Sequence, residues 1–164
     1  MALDDEPRVT AWLDQHEQLV AENIRRTGVH ITYVMADPTR MQSSIAYTAG
    51  LFGIGHPELM ALGLDPGTAS SLLNEVAARV RRGSILIAGE VLTFEAWSHR
   101  VVIEESPNPG EIVFVANAHY QRPASASVRV LQLTYDDEAG RFPWDDGYEV
   151  AAWIQPRPGG FTAL

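Results

Sequence analysis

Apolar residues recur along this chain with two different periods. From Pro7 to Arg26, Val9, Trp12, Leu13, Leu19, Val20 and Ile24 return at helical spacing, which predicts a first helix. Gly28 supplies its stop. Val29–Met35 is rich in β-branched and aromatic residues and reads as a strand, followed by turn chemistry at Asp37-Pro38-Thr39. Ser44–Leu51 reads as a second strand. Glu58–Leu64 reads as a third, and its unbroken apolar run predicts a central strand covered on both faces. Asp65-Pro66 then pairs a favoured N-cap with a favoured first helical residue. Leu72, Leu73, Val76, Ala77 and Val80 form the apolar stripe of that helix, and Gly83 ends it.

The later chain shifts toward strand-like runs at Ile85–Ile87, Val91–Trp97, Arg100–Glu105, Glu111–His119 and Val128–Tyr135. The turn Ser106-Pro107-Asn108-Pro109-Gly110 predicts a hairpin between 100–105 and 111–116. In the last run Leu131, Leu133 and Tyr135 alternate with Gln132 and Thr134, so the two sets face opposite ways. Residues 1–7 read as a loose acidic lead, and 136–164 as an irregular wrap over a single domain spanning 1–164. The expected class is α+β: two main helices on a mostly antiparallel or mixed sheet, with a small split β-barrel as the alternative.

Composition narrows the chemistry. At 164 residues the chain can bury a core without staples, and it contains no cysteine. Disulfides, thiolate nucleophiles and Cys-ligated metals are therefore excluded. The formal net charge is −9 and every cation is arginine. The absence of lysine excludes Schiff-base chemistry and a P-loop. The acidic balance argues against nucleic acid as a partner. Arg79, Arg81 and Arg82 sit where a helix end favours cations. No apolar run is long enough to span a membrane and no basic, apolar leader opens the chain, so the reading is a soluble, cytoplasmic protein.

The stretch Tyr47–Leu64 concentrates the candidate chemistry. Gly50, Gly53 and Gly55 precede His56-Pro57-Glu58. Pro57 disfavours helix at His56, and in an extended segment residues two apart share a face. An imidazole beside a carboxylate can do acid–base work. The bland alternative is that His56 and Glu58 bond loop amides and fix the turn. A metal would need a third ligand from His30, His99 or His119, with His119 the candidate beside His56 and Glu58. The glycines do not follow the Rossmann spacing, and no short motif speaks for or against a flavin in a split barrel, so the cofactor stays open. Ser43, Ser44 and Tyr47 beside the glycines could meet a phosphate, or simply begin a strand. No hydrolase elbow is present, and Ser98-His99 reads as a turn. The acidic run Asp136, Asp137, Glu138, Asp145, Asp146, Glu149 lacks calcium-loop spacing and reads as a solvated turn. His119, Tyr120 and Arg122 close a predicted strand, and Phe142, Trp144 and Trp153 could line a pocket there or seal the sheet edge.

The order of these segments carries a resemblance. Tyr47-Thr48-x-Gly50-Leu51 comes first, then Gly55-His56-Pro57-Glu58-Leu59, Gly63-Leu64, Leu72-Leu73-Asn74 and Gly83. His119-Tyr120, Leu131-Gln132-Leu133, and Asp137 before Gly140-Arg141-Phe142-Pro143-Trp144 complete it. The chain resembles, over roughly 25–150, the bacterial family called domain of unknown function 4262. Tyr135-Asp136 departs from the family's Trp-Pro-Asp type of stretch. The resemblance implies no reaction, cofactor or catalytic residue.

The leading expectation is a pocket that binds a small molecule or short peptide, built from the Gly50–Glu58 loop with Tyr47, Gly53, Gly55, His119, Tyr120, Arg122 and Trp144. One alternative is a hydrolase-type enzyme using His56 and Glu58. Another is an interaction module whose C-terminal aromatics dock a partner or a second copy of the chain.

Overall fold

The computed structural model describes residues 6–163. Helix α1 (Glu6–Thr27) leads into a meander of β1 (His30–Val34), β2 (Ile45–Ala49) and β3 (Glu58–Leu62). Helix α2 (Pro66–Arg81) follows, then β4 (Val91–Leu92), β5 (Val101–Glu105), the short α3 (Phe114–His119) and β6 (Val130–Tyr135). The six strands form one open sheet in the order β1-β2-β3-β6-β5-β4. Every pairing is antiparallel except β3 with β6. The fold is α+β with a mixed sheet, and β1 and β4 remain as edges, so it is no barrel.

Local chemistry explains the boundaries. Gly28, at φ +93°, ends α1, and its N–H reaches back to the Ile24 carbonyl at 2.8 Å. Asp65 caps α2 by accepting the Thr68 N–H at 2.7 Å, with Pro66 at the first turn. The α2 stripe of Leu72, Leu73, Val76, Ala77 and Val80 packs on Leu59, Ala61, Leu131, Leu133 and Tyr135. Each buried aliphatic there is worth roughly 1.5–3 kcal/mol of transfer free energy. On the opposite face Met60, Leu62, Tyr47 and Val130 pack under Val20 of α1, Ala116 of α3 and Phe161 of the tail. Strand β3 is buried along its whole length, as a central strand must be.

Several expectations are corrected. The first seven residues are not all a loose lead: 1–5 lie outside the described residues, but Glu6 and Pro7 open α1. Ile85–Ile87 forms no strand, and of Val91–Trp97 only Val91–Leu92 pairs. Its backbone departs because Phe94 and Trp97 turn toward each other and the core, leaving a two-residue edge. The predicted hairpin between 100–105 and 111–116 does not form. Strand β5 pairs with β6 and β4 instead. Residues 111–119 coil into a 3₁₀ turn and α3, because Ile112, Val113 and Ala116 bury together only at helical spacing. His119, Tyr120 and Arg122 therefore follow a helix end, not a strand end. Residues 136–163 carry no helix or strand. Among the described residues no helix is long and apolar enough to cross a membrane.

Candidate functional site

The Gly50–Glu58 loop joins two central strands, so it is fixed at both ends. Gly50 sits at φ +137°, and a Cβ there would overlap the Gly28 carbonyl. Only glycine lets the chain turn this close to the end of α1. The loop continues as a 3₁₀ turn at Phe52–Ile54, ended by Gly55 in the left-handed region.

Glu58 holds the first half of the loop together. Its carboxylate is fully buried and accepts four donors. Oε1 takes the Thr48 hydroxyl at 2.8 Å and the Leu51 N–H at 3.0 Å. Oε2 takes the Gly50 and Phe52 N–H groups, both at 3.0 Å. Burial pushes this carboxyl above its ordinary range, and the four donors pull it part of the way back. Neighbouring Tyr120 accepts the Gly53 N–H at 3.3 Å. Its own pKa is pushed up to about 12, first by burial and then by the Glu58 charge.

His56 is also engaged. Nδ1 lies 2.8 Å from the Pro57 carbonyl, and Nε2 receives the Leu86 N–H at 3.2 Å. A carbonyl can only accept and an amide can only donate, so these partners assign the proton to Nδ1. The imidazole ties the loop to the segment after α2, while the Glu58 carboxylate turns back into its own loop.

The second half of the loop faces open space. Ile54, Gly55, His56 and Pro57 form one wall of a cavity of about 520 Å³. Residues 83–88 form the other wall, with Val80 and Leu131 as floor. Ile54, Ile85 and Ile87 are 58%, 80% and 65% exposed, a large apolar outlay beside water. Arg129 closes the rim with a two-pronged pair to Glu105, both bonds at 2.9 Å.

The remaining candidates divide. Gly53, His119, Tyr120 and Arg122 do gather, around Phe52: Tyr120 meets its ring edge-on at 4.7 Å, and the Arg122 guanidinium lies 5.5 Å from its centre. The His119 ring lies against Tyr120 at 4.7 Å. Tyr47 is elsewhere, buried on the opposite face of the sheet from α2, with its hydroxyl accepting the Val115 N–H at 3.1 Å. Trp144 belongs to the C-terminal region, its ring stacked on Phe142 at 5.1 Å and covered by the Arg157 guanidinium at 5.1 Å from its centre. His30 lies beside His16, and its pKa is lowered by burial and by the nearby charges of His16 and His119. Among the described residues no group of three His, Cys, Asp or Glu side chains is placed to hold a metal ion.

The sequence reading missed two polar centres. Asp136 and Asp137, taken for a solvated turn, are both buried. Asp136 receives His99 Nδ1 at 2.9 Å, the Arg100 N–H at 3.1 Å and Arg100 Nε at 3.2 Å. Asp137 gathers the Ala139, Arg141 and Glu149 N–H groups. The available signal was the spacing of Asp136-Asp137 to Gly140-Arg141, which suits an aspartate closing a tight turn on itself.

The geometry defines a small α+β domain with a saturated carboxylate loop beside an apolar cavity. The chain belongs to the family described as domain of unknown function (DUF4262), whose model matches residues 23–149. No curated protein and no solved structure matches it.

Proposed function

We propose that the protein is a ligand-binding domain, and that its site is the cavity between Ile54–Pro57 and the segment after α2. The carrying observation is the pairing of a preformed cavity with exposed isoleucines on both of its walls. The preferred ligand is a small molecule or short peptide with an apolar body. A polar end would meet the Glu105–Arg129 pair at the rim. An acid–base role for His56 and Glu58 has less support, since Glu58 is buried with four donors and both His56 nitrogens are occupied.

Native mass spectrometry of gently purified protein, with a thermal-shift screen of apolar acids and short peptides, tests this. The expected result is a ligand that raises the melting temperature and is lost in Ile85→Asp, with the fold intact. Binding that ignores Ile85→Asp would move the site elsewhere, and a screen without hits in both chains would remove the reading.

Self-association has its own observation. Val9, Trp12, Leu13 and Leu19 of α1 are exposed, with Trp12 at 62%. The apolar surface available to a second copy thus lies on α1 more than on the C-terminal aromatics. A sedimentation series, with Trp12→Ala beside the wild type, tests that reading: it expects a mass that rises with concentration and a variant that stays monomeric.

A further inference from the structure

A second cavity, of about 1060 Å³, lies between α2 and the segment 93–97 that follows β4. No residue lines both it and the Ile54–Pro57 cavity. Phe94 and Trp97 form its aromatic wall. Both are half-buried against the main core cluster, and their rings meet edge-on at 5.8 Å. His99 and Tyr135, which do not line the cavity, hold Trp97 in place, their ring centres 4.7 and 6.1 Å from it. The rings are thus fixed by the fold, so a ligand that uses them has little ordering cost to meet.

Charge decides what such a ligand is. Three carboxylates, Asp65, Glu75 and Glu95, line the cavity against one guanidinium, that of Arg79. A helix start ordinarily draws anions. Here Asp65 already serves the start of α2, accepting the Thr68 N–H at 2.7 Å and the Thr68 hydroxyl at 2.8 Å. Arg79 shows which chemistry the wall accepts. Its guanidinium lies 4.7 Å from the centre of the Phe94 ring and donates to Glu75 at 3.2 Å and to the Thr93 carbonyl at 2.7 Å. One cation thus engages an aromatic face and a carboxylate together. Trp97 and Glu95 bring the same two residue types to the same cavity without a cation. Among the described residues no guanidinium lies over Trp97, and no side chain pairs with the exposed Glu95 carboxylate.

We infer that this cavity is a second binding site, and that its ligand is a small organic cation: an amine or guanidinium carried on an apolar body. Trp97 supplies the ring face, the strongest of the aromatic side chains for a cation. Glu95 supplies the counter-charge that Glu75 gives to Arg79. Phe94 and Leu72 cover the apolar body. The surplus of carboxylates repels anions, and on a chain of net charge −9 the wider field favours the same choice.

The test is calorimetric titration of the full chain with probes of one shape and different charge: phenethylguanidine and phenethylamine, 2-phenylethanol, and 3-phenylpropionate. The two cations are expected to bind about tenfold more tightly than the alcohol, and the carboxylate weakest of all. Added salt should weaken the cations and leave the alcohol unchanged. Glu95→Gln should cost the cations several-fold in affinity and the alcohol nothing, whereas Trp97→Leu should weaken all the probes that bind. Glu95 is exposed and unpaired, so its variant keeps the fold and decides the matter even if Trp97→Leu does not. Ile85→Asp, in the other cavity, should change no cation's affinity. Equal affinity across the charge series, or cation binding that ignores Glu95→Gln, overturns the inference. Loss of the cations in Ile85→Asp alone would assign them to the Ile54–Pro57 cavity, and a series in which neither cation binds would remove the second site while leaving the first untouched.

Discussion

The two halves of the Gly50–Glu58 loop follow opposite rules. In the first half every polar group turns inward: three successive amides and a hydroxyl close on the Glu58 carboxylate. In the second half apolar side chains turn outward, and Ile54 faces Ile85 and Ile87 across open space. The glycines and the His-Pro-Glu triplet look like a single site in the sequence, yet one half is scaffold and the other is surface. A buried charge with all its donors in place has nothing left to offer a substrate. An exposed apolar wall lowers its free energy only by being covered.

That contrast can be broken from either side. Glu58→Ala strands four donors in the interior, and a loss of about 3 kcal/mol or more of unfolding free energy is expected in denaturant titration. A loss under about 1 kcal/mol would mean the loop does not depend on its carboxylate. Gly50→Ala adds a Cβ against the Gly28 carbonyl at φ +137°, whereas Gly55→Ala at φ +82° meets open space. The first is expected to cost more than about 2 kcal/mol and the second about 1, the conformational part alone. Equal losses in thermal melts would show that the close approach to α1 is not what fixes Gly50. Ile85→Asp should change stability by no more than about 0.5 kcal/mol while abolishing ligand uptake.

Acidity sharpens the same contrast. Burial raises the folded-state pKa of Glu58 above its unfolded value, so the folded chain binds that proton more tightly. Its contribution to stability therefore grows as pH falls through the folded pKa and is complete below the unfolded one. His30 acts in reverse. Its pKa is lowered by burial and by His16 and His119, so its contribution is complete above its ordinary value of 6.5 and is lost as pH falls below it. Stability measured between about pH 7 and 4 should thus decline less steeply at its upper end in His30→Asn, and rise less toward its lower end in Glu58→Gln. Parallel curves for all three proteins would remove both assignments.

Much of the framework was legible because it rests on local chemistry. Gly28, Asp65-Pro66 and the α2 stripe each carry their own signal, and so does the alternation of Leu131, Leu133 and Tyr135. The segment 111–119 misled because Ile112, Val113 and Val115 favour strands, while the core beneath α1 selects Ile112, Val113 and Ala116 together. Within the site, Glu58 and His56 stood out by residue type, but the amides that saturate them carry no sequence mark. The wall made by Ile85 and Ile87 was read as a strand, since only tertiary placement shows that nothing pairs with it. Tyr47 joins the loop by nearness in sequence, but its facing on β2 turns it into the cluster under α1 and α3, while Trp144 lies with Phe142 in the C-terminal region.

The lone parallel pairing also governs how the molecule is made. Glu58, Leu59 and Met60 align with Val130, Leu131 and Gln132, so the sheet's middle seam joins stretches far apart along the chain. The meander of β1, β2 and β3 can form from nearby chain, and so can β4 with β5, but neither piece can find the other until β6 has emerged. Long-range closure of this kind slows folding. Until it happens, the unpaired edge of β3, one of the most apolar strands in the chain, stays open to any other extended segment it meets.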